Sequence, residues 1–423
     1  MAQGEPRHHD YAARVYCQRA MSDEIPIGTV ALGDRSLFPD LKPRAYLNHA
    51  AISPPSTAVR QAVAEVLQSS AALGAGAVRR WLEQRARLRH ELGVLLGASP
   101  EDIAFIPNTS RGVTDMALCI PWKSGDRVLL AEGEFPANVT PWQRAAELFG
   151  LELSFLARPT ADDVLGEWLG ALEAALSSTG ARLVALSAVQ FQTGLRMPLE
   201  RIGPLCRRHG SELFVDAIQA CGVVPIDVRR QGIDYLASGS HKWLMGLEGA
   251  GMLYVAPERA AALRPHVAGW LGHEDALSFL FEGPGLLRYD RPLRRTARVV
   301  EGGMANTVGL AALAASLGCL QELGLEAIFA HVSGYLDALE AALVERGFQS
   351  LRARAPELRS GILSLKPPAG IDVIELHRAI DTAQVSCSTP DGLLRFAPHW
   401  PNGLGEIDGV VAAIDDALRA VGA

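Results

Sequence analysis

The sequence predicts an α/β fold: a mostly parallel sheet covered by helices on both faces, followed by a smaller α+β domain towards the C-terminus. Three observations predict it. Seven short apolar runs, each closed by turn residues, alternate with stretches of helical period, the pattern of a sheet buried on both sides. Beyond about Gly283 the texture changes to long helical patterns. And 423 residues suffice for two to three domains at ~150 residues each.

The strand candidates are Ile103–Ile106, Arg127–Ala131, Leu151–Leu156, Leu183–Ser187, Leu213–Asp216, Asp234–Ala237 and Met252–Val255. After Pro54 and Pro55, residues Val59, Ala62, Val63, Val66 and Leu67 share one helical face, as do Val113, Met116, Ala117 and Ile120. The Arg-, Pro- and Gly-rich stretch Gly283–Arg298 reads as the crossing segment. Helical patterns over Thr307–Leu323 and Leu325–Arg346, a strand at Ile362–Leu365 and a closing helix at Glu406–Val421 make up the second domain. The organisation expected is an extension over 1–20, a segment over 21–45 packing on the small domain, a large domain over 46–290 and a small one over 291–423. Met21 is a second candidate start.

Composition narrows the function. A formal charge of −7 excludes a chain dominated by nucleic-acid electrostatics. Cys17, Cys119, Cys206, Cys221, Cys319 and Cys387 lie far apart with no C-x-x-C pair, against a disulfide framework or a zinc ribbon and in favour of a reducing cytoplasm. No metal site is expected. The first twenty residues are polar, unlike a signal peptide, and the apolar run Gly309–Leu320 is too short for a membrane span.

Four pieces carry candidate chemistry. Asn108-Thr109-Ser110-Arg111-Gly112 precedes a helix, where free N–H groups and hydroxyls suit a phosphate or simply cap the helix. Gly133-Glu134-Phe135 follows a strand, and Phe135 is either a stacking platform or ordinary core. Asp216 ends the apolar run Phe214-Val215-Asp216; it caps the next turn, or it holds a pyridine nitrogen protonated at a strand's carboxyl end. Ser240-His241-Lys242-Trp243 follows the next strand. Its lysine is a surface cation or, once buried, an amine able to form a Schiff base. Each piece is ambiguous alone, but their order is not: phosphate cap, ring stacker, ring-nitrogen acid and Schiff-base lysine come in succession, each after its own strand. Lys242 follows Asp216 by 26 positions.

In this arrangement the sequence resembles the pyridoxal-phosphate (PLP) enzymes of fold type I, specifically the class V aminotransferase group, which includes cysteine desulfurases, isopenicillin-N-epimerase-like proteins and kynureninases. The resemblance runs from Tyr46-Leu47-Asn48-His49-Ala50-Ala51 to Arg395-Phe396-Ala397-Pro398-His399. It implies a mostly parallel seven-stranded sheet and a cytoplasmic homodimer with shared active sites, acting on a small amino-acid substrate without nucleic acid or membrane. By the same resemblance Lys242 carries the cofactor aldimine, Asp216 pairs with the pyridinium nitrogen and Gln219 touches the ring oxygen. Thr109 and Ser110 hold the phosphate, helped by Ser240 and His241. Asn306 and Thr307, in Glu301-Gly302-Gly303-Met304-Ala305-Asn306-Thr307, reach it from the partner subunit. Arg395 pairs a substrate carboxylate, a bidentate task suited to guanidinium, with Asn48 and Trp270 as further substrate contacts.

Departures from the group narrow the reaction. Phe135 stands where desulfurases place a histidine on the ring. Its Phe-Pro-x-Asn context, together with Val189-Gln190-Phe191 and Gly269-Trp270-Leu271-Gly272-His273, leans towards kynureninases. Asn48-His49-Ala50-Ala51 and Pro398-His399 lean towards the desulfurase and epimerase branch, and Gln219 and His241 replace residues usual in kynureninases. Cys387 lies eight residues before Arg395, without the longer loop on which desulfurases carry their nucleophile, and is expected to be inert. The reaction expected is side-chain cleavage of an α-amino acid, of lyase or hydrolase type, with Lys242 as base; transamination is the alternative. A desulfurase, or a PLP-binding regulator with an added DNA-binding domain, fits less well. A nicotinamide-binding protein lacks its G-x-G-x-x-G.

Overall fold

The computed structural model describes residues 30–422; the expected extension 1–20, Cys17 and the first part of the segment 21–45 lie outside the described residues. The centre is a seven-stranded sheet. Its strands, in chain order, are β1 (Ile103–Ile106), β2 (Arg127–Ala131), β3 (Glu152–Leu156), β4 (Leu183–Ser187), β5 (Glu212–Asp216), β6 (Tyr235–Gly239) and β7 (Gly251–Val255). Their spatial order is β1-β7-β6-β5-β4-β2-β3. Strands β2 to β6 ladder in parallel, while β7 runs antiparallel to β6 and to β1.

Strands β4 to β7 are buried at every residue, which is why they read as unbroken apolar runs rather than alternating ones. Glu212, which opens β5, tolerates burial through ion pairs with Arg182 (2.6 Å) and Arg259 (2.7 Å). At the edge, β3 leaves Phe155 exposed.

From β2 the chain steps outward to β3, then returns through β4, β5 and β6 in the opposite direction. The reversal opens a crevice at the carboxyl ends of the strands, where doubly wound sheets bind ligands. The helix Thr109–Cys119 closes on the sheet because Gly112 carries no side chain. A Cβ there would stand 2.7 Å from Ile106 Cδ1 and 2.8 Å from Ala237 Cβ.

The smaller C-terminal domain holds an antiparallel sheet of Gln349–Ser350, Leu363–Lys366 and Leu394–Phe396, with helices Leu325–Val344, Val373–Thr382 and Ile407–Val421. Ala45–Tyr46 pairs in parallel with Val385–Ser386, joining the start of the described chain to this domain. By length and composition the helix Leu325–Val344 could cross a membrane. Here Ile328, Val332, Leu336, Leu339 and Leu343 face the core, and Tyr335 donates to Glu406 at 2.8 Å.

Candidate active site

Register brings the site together. In β5, Asp216 lies opposite Ser187 of β4 and Ala237 of β6, all at the carboxyl end of the sheet. Its carboxylate accepts from the Ile218 N–H at 3.0 Å. Burial pushes this carboxyl upward and the nearby Glu134 carboxylate adds to the push, while Lys242 opposes it. Lys242 stands in the turn after β6. Burial depresses its amine, Asp216 works against that, and the Arg395 guanidinium works with it. Low-dielectric surroundings therefore favour the uncharged amine.

A cavity of about 250 Å³ brings together Phe135, Asp216, Gln219, Lys242 and Arg395, with Ala50, Ala51, Ser187, Phe191 and Pro390 around them. Phe135 follows β2 through a turn at Gly133, whose φ of 83° demands glycine. The Phe135 ring centre is 5.8 Å from Lys242 Nζ and meets the edge of Phe191 at 5.2 Å. Gln219 accepts from Trp243 Nε1 (2.9 Å) and donates to the Ala50 carbonyl (3.0 Å), leaving one amide hydrogen.

At the N-terminus of Thr109–Cys119, Asn108 caps by accepting from the Arg111 N–H. Thr109 Oγ1 accepts from the Gly239 N–H at 2.8 Å, so its own hydrogen remains for an anion; Ser110 beside it is exposed. His241 is kept towards its neutral form by burial and by Lys242.

Arg395 is 5% exposed. It donates to the Phe191 carbonyl (2.7 Å) and to Ser388 Oγ (3.0 Å). Among the described residues it forms no ion pair with a carboxylate, and burial pulls it down to about 10. A desolvated guanidinium of this kind selects an anion. Asn48 Oδ1 is likewise buried without a hydrogen-bond partner.

Four expected residues stand differently within one chain. The Ser240 hydroxyl, fully buried, donates to the carbonyls of Leu247 (2.6 Å) and Ala250 (2.9 Å) and has no hydrogen left for a phosphate. Trp270 is not part of the Lys242 cavity: it lines a separate one of about 920 Å³ with Arg85, Gly302, Gly303, Met304 and Asn306. Thr307 Oγ1 accepts from Arg85 at 2.6 Å, and Asn306 caps its helix through the Gly309 N–H; neither reaches the Lys242 cavity within one chain. Cys387 is buried and its thiol is pushed upward by that burial, the opposite of what a nucleophile needs.

Sequence reasoning passed over Phe191 and Glu134. The Glu134 carboxylate collects the Ser187 N–H (2.8 Å), the Ser187 hydroxyl, Gln190 Nε2 (3.1 Å) and Asn138 Nδ2 (3.0 Å). For Glu134 the available signal was a carboxylate between Gly133 and Phe135, just past a strand's carboxyl end.

The residues fit pyridoxal phosphate. They supply an amine held towards its neutral form, a buried carboxyl, a flat apolar ring, a helix N-terminus with a free hydroxyl hydrogen and a buried oxygen (Asn48 Oδ1) still lacking a donor. The aminotransferase class V family model matches residues 45–392. An "uncharacterized aminotransferase YcbU" of Bacillus subtilis is 28% identical over 369 residues, covering 87% of this chain and 93% of its own. A cysteine desulfurase of Klebsiella pneumoniae (strain 342) is 31% identical over 334 residues, covering 76% and 78%. Among solved structures, a C-DES variant with glycine covalently linked to its PLP cofactor superposes with a TM-score of 0.81 at 23% identity. It covers 90% of this chain and 99% of that one.

Proposed function

The chain belongs to the aminotransferase class V family of PLP-dependent enzymes, and from that premise we propose that it cleaves the side chain of a small α-amino acid. The observation that carries the proposal is the grouping of Lys242, Asp216 and Arg395 in one cavity of about 250 Å³ to which the described residues of the chain contribute no second amine or imidazole. Bound PLP supplies an electron sink for the bond broken at the amino acid's α-carbon. Lys242 holds the cofactor and, when freed, takes the α-proton on Nζ as general base. Asp216 would pair with the ring nitrogen and hold it protonated, and Phe135 would pack against the ring. Thr109, Ser110 and His241 hold the phosphate. Arg395 orients the substrate carboxylate, while Asn48 Oδ1, an acceptor, is left for a donor rather than for that carboxylate.

A single amine serves a leaving group that departs as a stable anion, because no separate acid is needed to protonate it. This favours cleavage over epimerisation, which requires a proton on the opposite face. Similarity to a protein named as an aminotransferase favours transamination as the second reading. We further propose a homodimer in which the loop 301–307 of one subunit completes the site of the other, and a reducing compartment, consistent with the five described cysteines being free thiols.

A panel of amino acids tests the reaction, with cofactor absorbance and products followed together. Cleavage yields pyruvate or alanine with the cofactor unchanged. Accumulation of pyridoxamine phosphate with a keto acid would make the enzyme a transaminase.

A further inference from the structure

The turn that carries Lys242 is irregular, yet four successive carbonyls in it each receive a donor from elsewhere in the chain. The Ser53 N–H donates to His241 O (2.7 Å) and the Ser53 hydroxyl to Lys242 O (2.6 Å). His399 Nε2 donates to Trp243 O (2.8 Å), and the Ser316 hydroxyl to Leu244 O (2.6 Å). Because the Ser53 hydrogen is committed to a carbonyl, the 2.7 Å contact from His49 Nδ1 to Ser53 Oγ must be an N–H donated by the imidazole. His399 is also tautomer-locked, since its Nδ1 accepts from the Trp400 N–H at 2.7 Å. The two imidazoles are buried and meet edge to face at 5.4 Å.

Three of these four donors come from the two segments that build the rest of the site, and the fourth, Ser316, from the helix Thr307–Leu323. His49 and Ser53 flank Ala50 and Ala51, which line the Lys242 cavity. His399 follows Arg395 by four positions, on the chain leaving the strand Leu394–Phe396. The same bonds that satisfy buried carbonyls therefore set the amine of Lys242 against the guanidinium of Arg395.

We propose that His49, Ser53 and His399 are positioning residues: a neutral-histidine clasp on the backbone of residues 241–243 that sets where the Lys242 amine stands relative to Asp216 and Arg395. The proposal rests on Lys242 being the working amine, and its test reads that amine without the cofactor. The charged and titratable groups acting on it are Asp216, Arg395 and, next in sequence, His241.

In the apoprotein, the pH dependence of Lys242 labelling by an amine reagent, followed by peptide mass spectrometry, gives its pKa. Ser53→Ala and His49→Leu should move that pKa upward towards an ordinary lysine, as the loosened turn lets water reach the amine. In the loaded enzyme kcat should fall about tenfold, the scale of one buried hydrogen bond, with KM nearly unchanged. His49→Asn, whose amide replaces the Nδ1 donor, should restore both. If His49→Leu does not fold, Ser53→Ala carries the test alone, since it removes a single oxygen. An unchanged labelling pKa in Ser53→Ala, or an Asn variant no better than Leu, overturns the proposal. Loss of the cofactor-binding reading would show separately, as a wild-type protein without a reducible cofactor link.

Discussion

Lys242 Nζ lies 5.8 Å from the centre of the Phe135 ring, so the amine and the ring bound the same small cavity from the ends of different strands. Phe135 comes from the loop after β2 and Lys242 from the turn after β6, and Asp216 at the end of β5 lies between them in the sheet. That spacing suits a flat heteroaromatic ring, and the predictions follow from it.

Asp216→Ala is expected to cut turnover far more than cofactor occupancy. One charge-assisted hydrogen bond of ~1.5–3 kcal/mol corresponds to roughly ten- to hundredfold in rate, and the lysine link and phosphate contacts still hold the cofactor. Near-wild-type turnover in this variant would remove the electron-sink role; parallel activity and absorbance measurements decide it.

Acid should weaken the fold through the histidine pair. Burial lowers His399 to about 4 and His49 well below its ordinary value. The unfolded chain then binds more protons than the native one between about pH 6.5 and 4. The contribution of His399 is complete above 6.5 and is lost as pH falls through that window, on the order of 3 kcal/mol. Denaturant unfolding of the apoprotein across this range should show the slope, and His399→Gln should flatten it. Equal slopes in both proteins would contradict the assignment.

Cys387→Ser should keep most activity, and mass spectrometry after addition of cysteine should find no persulfide on Cys387. The thiol is buried, and the following turn Pro390–Gly392 is short, with Asp391 at a φ of 51° and accepting from Gln192 Nε2 at 2.8 Å. A persulfide there would make the protein a desulfurase.

If the loop 301–307 completes a neighbour's site, then mixing Lys242→Ala subunits with subunits damaged at Thr307 should restore activity in verified heterodimers. Two inactive parents giving inactive heterodimers would count against shared sites.

Much of this architecture was legible in the sequence because each central strand is a short apolar run closed by turn residues. Ends shifted where charge intervened. Glu212 joins β5 because Arg182 and Arg259 neutralise it, whereas Asp234, expected to open β6, instead accepts from Arg259 and the Leu213 N–H. The antiparallel direction of β7 was not legible, since burial leaves no directional pattern. Within the site, Asp216 and Lys242 were readable from their place after strands. The contacts of Ser53 with Lys242 and of His399 with Trp243 span 189 and 156 positions, beyond any local pattern. Tertiary packing likewise sets Trp270 in the cavity lined by Gly302, Gly303 and Asn306 rather than beside Lys242 of the same chain, a placement its local motif does not encode.

The most direct test of the account is to load the purified protein with pyridoxal phosphate, reduce it with borohydride and map the modified peptide by mass spectrometry. The account predicts a single pyridoxyl-lysine at Lys242, absent from a Lys242→Ala variant that keeps its fold by circular dichroism. A pyridoxyl group on another lysine, or none on the wild-type protein, would contradict it.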